Sequence, residues 1–419
     1  MDSVASHHRS SVGRDHCDYD VAIVGGGVVG LSLAIALKQA LGGGLRVALW
    51  DRAPGRRSPR QRVTAITAGP RRMLAQLGVW PEIETKAQPI NRMDVTDSRL
   101  SDPVRPVFLS FSGAISRGEP FAHVVFNADL EDALENKARK LNVEIRAEEA
   151  VGVTPFRGGV RLEPATNQEG ARARLVVAAD GMRSPLREAV GIESIGWDYR
   201  LRAIVCAVEH EQEHEGVAYE HFLPSGPFAT LPLCGRRSSI VWTEPEVSAT
   251  RIARLPPAEF RMALRQRLGE RLGRLEVREQ PLTFPISLNV ARRLVTDRLA
   301  LIGDAAHVIH PLAGQGLNLG VRDAAALAES IVDAVRLGED PGSHEVLRLY
   351  EKRRRFDNTL MAAATDLLHN LFSSDGSIRP VRDLGLGLVD RAPPLKRLFM
   401  YSAAGVVGDV PRLLLGEKL

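Results

Sequence analysis

Residues Tyr19–Asp51 read YDVAIVGGGVVGLSLAIALKQALGGGLRVALWD, and the order of residue types in them decides the fold class. Tyr19–Val24 is a short apolar run rich in β-branched side chains, the composition of a strand buried on both faces. Gly25, Gly27 and Gly30 follow at GxGxxG spacing. LSLAIALKQAL then reads as a helix, stopped by the run Gly42–Gly44. Leu45–Trp50 is a second strand, closed by Asp51. Strand, glycine turn, helix, strand and acid in this order make a βαβ unit shaped for a dinucleotide. The first glycine makes the tight turn, the second lets backbone approach a pyrophosphate, and the third lets helix pack on strand. The helix start at Val28 then faces the phosphates with unpaired N–H groups. Asp51, with Arg52 beside it, stands where it would accept from ribose hydroxyls.

A second stretch, Leu301–Asp323 (LIGDAAHVIHPLAGQGLNLGVRD), bears on which dinucleotide this is. Ala300–Ile302 reads as a strand that ends in Gly303 and Asp304 beside the first loop. Asp304 would accept from the hydroxyls of a sugar chain. Pro311 breaks the backbone, and glycines follow. The N–H groups of Gly314, Gln315, Gly316, Leu317 and Asn318, at the start of the next helix, form an anion-binding nest. A reduced isoalloxazine carries negative charge at its N1–C2=O end, so such donors suit a flavin; nicotinamide needs none. His307 and His310 flank the loop without cysteines or an acidic cluster near them, so they read as packing residues and not as metal ligands.

Arg56, Arg57 and Arg60 read as a solvated loop, whereas Arg62, just before an apolar turn, is placed to reach a phosphate. Thr64 or Thr67 is the candidate cap of a helix over Arg71–Leu77 that Gly78 ends. Residues 91–125 read as alternating strands. Asn127–Leu141 is an amphipathic helix with Asn127 or Asp129 at its N-cap. Val143–Ala147 and Leu175–Ala179 read as further parallel strands. Asp180, at the carboxyl end of the latter, lies where ligands sit in such sheets, or caps the next helix. From Leu201 to Glu244, strand-like runs recur about every ten residues, the mark of an antiparallel sheet. Phe222, Phe228 and Trp242 there form either the wall of an apolar pocket or plain sheet core. Pro256–Leu272 reads as an amphipathic helix, and the chain after Asp323 as helical, with Lys352–Arg355 on a solvated face. The apolar C-terminal tail packs on the core, on a second subunit or on a membrane surface.

Bulk composition sets limits. At 419 residues the chain has room for two interleaved domains. A net charge of +4, with arginines spread along the chain, gives no nucleic-acid stripe. No apolar run reaches the roughly 18 residues of a spanning helix. The first 18 residues are polar, without the apolar core of a signal peptide, and read as a disordered tail. Three widely spaced cysteines, Cys17, Cys206 and Cys234, read as free thiols of a reducing, cytoplasmic compartment.

GDAAHVIHPLAGQGLNLGVRD closely resembles the flavin-contact motif of the class A FAD-dependent aromatic hydroxylases. More narrowly it resembles that of the ubiquinone-biosynthesis hydroxylase family. RVTAITAGPRRMLAQLGVW, LVVAADGMRSPLRE, LPSGPFATLPL, YEKRRRFDN and AAGVVGDVP extend the likeness over most of residues 19–415. The resemblance implies an α/β fold: a Rossmann-like FAD-binding domain of the glutathione-reductase type, an interleaved antiparallel-sheet substrate domain and a C-terminal helical region. The boundaries expected are 19–90, 127–195 and 291–337 for the FAD-binding domain, 91–126 and 196–290 for the substrate domain, and 338–419 for the C-terminal helices. By position, Gly25, Gly27, Val28 and Gly30 would hold the pyrophosphate, Asp51 and Arg52 the adenosine ribose, and Arg62 the region near the phosphates. Asn127 and Asp180 would be further cofactor contacts. Gly303 and Asp304 would hold the pyrophosphate–ribityl region, and Gly314 to Asn318 would surround the isoalloxazine. Pro311 and Gly314 form the flavin-face loop assigned to catalysis, with no acid or base. The chemistry implied is hydroxylation of a phenol ring by O2 through a flavin C4a-hydroperoxide, with NAD(P)H docking transiently as reductant. The substrate implied is a polyprenylphenol on the way to ubiquinone. Partners implied are the proteins of a ubiquinone-biosynthesis complex, a second copy of the chain and peripheral contact at the inner membrane face. Two other readings stay open: a hydroxylase of a small soluble aromatic compound, and a flavin-bearing scaffold that turns over nothing.

Overall fold

The computed structural model describes residues 17–97, 100, 106–112, 114–116, 118–166, 169–311, 314–373 and 400–419. The tail expected over residues 1–18 lies outside them as far as residue 16. Tyr19–Val24 is a strand, with Val21, Ala22 and Ile23 fully buried. It pairs in parallel with Val47–Trp50 on one side and Arg172–Ala178 on the other. Glu144–Arg146 and Leu299–Leu301 extend the parallel set, and Gly159–Pro164 and Ala150–Phe156 continue it antiparallel. The helix Val28–Leu41 packs on this sheet and on the long helix Gln315–Arg336. Every residue from Leu31 to Leu37 is therefore buried, as a helix covered on two sides demands. Each fully buried Leu or Ile there contributes about 1.5–3 kcal/mol. A Cβ on Gly320 would lie 2.7 Å from Val29 Cγ2 and 3.1 Å from Gly303 Cα, so glycine is what lets the two helices and the Gly303 turn meet.

A second sheet runs in the order His307–Val308, Leu282–Ala291, Ser194–His210, Arg237–Pro245, Gly226–Leu233, Val217–Leu223, Arg92–Asp97, Val107–Ser112. It is antiparallel except where Val217–Leu223 lies parallel to Arg92–Asp97. One face packs on the helices Glu246–Ile252 and Pro257–Leu268 through Ile204, Cys206, Phe228, Ile240, Trp242, Phe260 and Leu264. A small third sheet joins Val63–Thr67, Ala122–Phe126 and Gln88–Ile90.

Several local expectations are corrected. The helix expected over Arg71–Leu77 runs over Ala68–Gln76. Thr67 holds its N-cap position, yet its hydroxyl goes to Asn318 and caps nothing. Neither Asn127 nor Asp129 caps the helix Asn127–Lys140; Phe126 holds that position, and Asn127 instead accepts from the Thr64 hydroxyl at 2.7 Å. The helix expected over Pro256–Leu272 is the shorter Pro257–Leu268, ended by Gly269 at φ 68°. Arg57 is not a free loop cation: it pairs with Asp132 and Glu135. Lys352–Arg355 is not a uniformly solvated face, because Arg354 is buried and Arg353 is paired with Glu329 and Asp409. The described part of the C-terminal tail packs on the main core, where Leu413 and Leu414 are buried.

Candidate active site

The stretches Tyr19–Asp51 and Leu301–Asp323 meet at the carboxyl ends of the parallel strands. Gly25 takes φ 113°, and a Cβ there would lie 2.1 Å from Ala179 O; a Cβ on Gly30 would lie 2.0 Å from Gly25 O. Both positions are closed to any side chain by backbone, which cannot yield cheaply. Gly27, the N-cap of the helix at Val28, has no protein atom within 4 Å of its Cβ position. No side chain caps that helix end, and its first turn holds no acid. The turn is thus packed tight behind and open in front, with free N–H groups aimed outward. Asp51 sits at the end of its strand with its carboxylate against Gly26 and accepts from Ala53 N at 2.9 Å. Arg52 is exposed and 3.8 Å from Glu149. Asp180 ends the strand Arg172–Ala178. Its Oδ2 accepts from Leu186 N at 3.3 Å, while Oδ1 is buried with no partner among the described residues. Burial raises its pKa, opposed by the Leu186 N–H and the charge of Arg187.

Gly303 turns at φ 61° and carries Asp304 into a cavity of about 430 Å³. Asp304 opens onto that cavity with protein on most other sides. This desolvation raises its pKa, opposed by the charges of His307 and Arg62. Arg62 is exposed at the rim, its guanidinium 5.9 Å from the Phe284 ring. Pro311, Gly314, Gly316 and Leu317 line the same cavity. Gly314 is left-handed at φ 63° and starts the helix Gln315–Arg336, again without a side-chain cap. Asn318 is spent on the protein itself. Its Oδ1 accepts from Thr67 N at 3.0 Å, and its Nδ2 donates to Ala65 O at 2.8 Å and Gly314 O at 3.1 Å. It fixes the helix start against the strand Val63–Thr67.

A buried ionic knot holds the loop from behind. Asp323 is fully buried; its Oδ2 accepts from His307 Nε2 at 2.6 Å and Gly303 N at 3.1 Å, and its Oδ1 from Arg354 Nε at 2.8 Å. Burial alone would raise its pKa, but His307 and Arg354 hold it well below the usual carboxylate range. His310 also lines the cavity; its ring stacks on His369 at 4.8 Å, and burial pushes its pKa down to about 3.

The opposite wall is the second sheet, and its alternation decides what faces the cavity. Cross-strand register aligns Glu220, Ala229, Val241 and Val205 in one row and Ala203 with Thr243 in another. All six line the cavity. The five small side chains among them, on three adjacent strands, leave the space. Phe228 and Trp242, the candidate pocket wall, have the opposite parity and lie in the core beneath. Phe222 stacks on Phe372 at 3.6 Å. Sequence reasoning missed Glu220 and Arg354. For Glu220 the period-two pattern of AYEHF was the available signal; for Arg354, 31 residues from Asp323, no local signal existed.

Comparison with known proteins places this geometry in context. Residues 18–364 match the FAD-binding-domain family. The chain is 42% identical over 412 residues to a ubiquinone hydroxylase of Rhodospirillum rubrum, covering 96% of this chain and 93% of that one. It is 32% identical to the 3-demethoxyubiquinol 3-hydroxylase of Escherichia coli, covering 92% and 98%. Its fold is similar to that of p-nitrophenol 4-monooxygenase from Pseudomonas putida, with a TM-score of 0.74 at 22% identity over 93% and 99% of the two chains.

Proposed function

The chain belongs to the FAD-binding-domain family and, within it, to the ubiquinone-biosynthesis hydroxylases, and we propose that it hydroxylates the ring of a polyprenylated phenol. The observation that carries this reading is a single cavity bounded by an uncapped helix start on one side and a floor of small apolar side chains on the other. FAD fits the residues present. Among the described residues the space before Gly27 is open, Asp180 Oδ1 lacks a partner, and the N–H groups after Gly314 have no side-chain cap. On this reading Gly25, Gly27, Val28 and Gly30 hold the pyrophosphate, with Asp51 and Arg52 at the ribose and Arg62 near the phosphates. Asp180, Gly303 and Asp304 serve the centre of the cofactor. Asn127, buried and bonded to Thr64, shapes the wall. Pro311 and the segment Gly314 to Asn318 form the face against the ring. When bound, FAD supplies the redox chemistry that activates O2, with NAD(P)H as transient reductant. The protein's own part is to hold the phenol flat against an apolar floor and keep water out.

We further propose a cytoplasmic protein in peripheral contact with the membrane that carries its substrate. No helix among the described residues is long and apolar enough to cross a membrane. Support comes from the helix His344–Ser373, where Leu349, Phe356, Leu360 and Leu367 are at least half exposed. Their spacings of seven, four and seven residues put them on one stripe, with exposed Lys352 and Arg355 beside it. Such a face suits an anionic lipid surface. Phe356→Glu with Leu360→Glu then abolishes sedimentation with anionic vesicles; unchanged sedimentation sinks this part. Contact with other proteins of the pathway and with a second copy belongs to the same proposal. The hydroxylase reading is tested by incubating purified chain, FAD, NAD(P)H and a short-chain prenylphenol under isotopically heavy O2. A ring product carrying one heavy oxygen is expected. Turnover of a small soluble phenol with none of the prenylphenol would overturn the substrate assignment.

A further inference from the structure

Glu220 is an anomaly of composition. It lies mid-strand on Val217–Leu223, only 6% exposed, in a row with Val95, Ala229, Val241 and Val205. Every other member of that row is apolar. Its carboxyl group has no hydrogen-bond or ion-pair partner among the described residues. A buried carboxylate left unpaired is costly, and a valine would suit the row better if packing were its only task. The residue nevertheless faces the cavity that Pro311, Gly314, Gly316 and Leu317 also line. Asp97 has the same parity two positions along the neighbouring strand. Asp304, Arg62 and His310 are the other ionisable groups around the cavity, and Tyr219 borders it from the next position on the strand.

We propose, resting on the hydroxylase reading above, that Glu220 receives the substrate's phenolic hydroxyl and takes its proton. The phenol O–H bond breaks, the proton passes to a Glu220 carboxylate oxygen, and the electron pair stays on the phenol oxygen. The resulting phenolate enriches the ring carbons ortho and para to it, which is where an electrophilic oxygen attaches. No oxidant is consumed in this step. The apolar row serves the transfer by keeping the carboxylate unsolvated. Burial alone pushes the Glu220 pKa up to about 7, the range in which a general base is both present as the base and strong enough to act.

The test compares Glu220→Gln, which keeps shape and removes the base, with the parent. Both are loaded with FAD and assayed with a short-chain prenylphenol. We expect equal FAD content and thermal midpoint, and hydroxylation slowed about 10²–10³-fold. The parent's rate should rise with pH through an apparent pKa near 7, and this limb should vanish in the variant. A prenylphenol carrying enough ring fluorines to be largely ionised at neutral pH, with the attacked carbon left unsubstituted, should restore most of the variant's rate. A purely structural role would not produce that rescue. Glu220→Gln working within about threefold of the parent, with the same pH profile, overturns the proposal. So does a loss that the fluorinated substrate fails to rescue. Parent protein that holds FAD but oxidises no phenol fells the hydroxylase reading itself and this inference with it.

Discussion

Replacing Asp323 with asparagine removes one charge from the knot behind the loop while keeping its shape. The carboxylate accepts from four donors: His307, Gly303 N, Arg354 and, at 3.3 Å, Asn358. In the variant one terminal atom becomes a donor facing donors. Arg354, itself buried, keeps Asp357 at 2.8 Å and Asn358 at 2.9 Å, so it is not stranded. Breaking a buried pair costs about 3–5 kcal/mol when the remaining charge has nothing; with Asp357 still present the lower end applies, about 3 kcal/mol. The assay is urea unfolding of FAD-saturated parent and variant, followed by tryptophan fluorescence and circular dichroism. Because the folded Asp323 pKa is depressed, its contribution is fully present above the unfolded carboxylate value of about 4 and is lost as pH falls below it. The difference between the proteins should therefore be constant from pH 5 to 8. A control at the largely exposed pair Lys86–Asp129, Asp129→Asn, should cost about 1 kcal/mol or less. An Asp323→Asn loss below about 1 kcal/mol, or one that fades between pH 8 and 5, refutes the reasoning.

Gly27→Ala meets no protein atom and should leave the stability of FAD-free protein within about 1 kcal/mol while weakening FAD at least tenfold, read by flavin fluorescence; unchanged FAD affinity removes the phosphate from that position. Gly30→Ala, whose Cβ would strike Gly25 O, should lower stability and FAD affinity together, and a variant normal in both contradicts the turn geometry. Ala229→Phe fills the cavity floor and should retain FAD while turnover of a prenylphenol falls at least a hundredfold; normal turnover would place the substrate elsewhere. His310 titrates below its unfolded value, so the unfolded state binds its proton first and stability falls as pH drops from about 6.5 toward 3. His310→Phe should flatten that slope by up to about 1.4 kcal/mol per pH unit, and an unchanged slope between pH 6.5 and 5 sinks the assignment.

The parallel-sheet core was readable because its signals are local. A β-branched run, a glycine turn and an apolar helix lie within Tyr19–Trp50, and the strands Arg172–Ala178 and Leu299–Leu301 announce themselves as short apolar runs. What sequence could not supply was parity and distance. Phe228 and Trp242 looked like pocket wall because they are large and aromatic, but which face of a sheet is core depends on the helices beneath it. Capping residues misled for a related reason: Thr67 and Asn127 have better partners in Asn318 and Thr64 than their own helix ends. Arg354 looked solvated because its neighbours are charged; its partner Asp323 comes from another helix.

On the proposed reading, one cavity seats a flavin ring and a phenol ring face to face. This seating is tested most directly by an anaerobic titration of the FAD-loaded chain with a short-chain prenylphenol, watching the visible flavin spectrum. A saturable spectral shift is expected, which Ala229→Phe abolishes while FAD stays bound. Purified chain that takes up no FAD, or a bound flavin whose spectrum ignores the phenol, contradicts it.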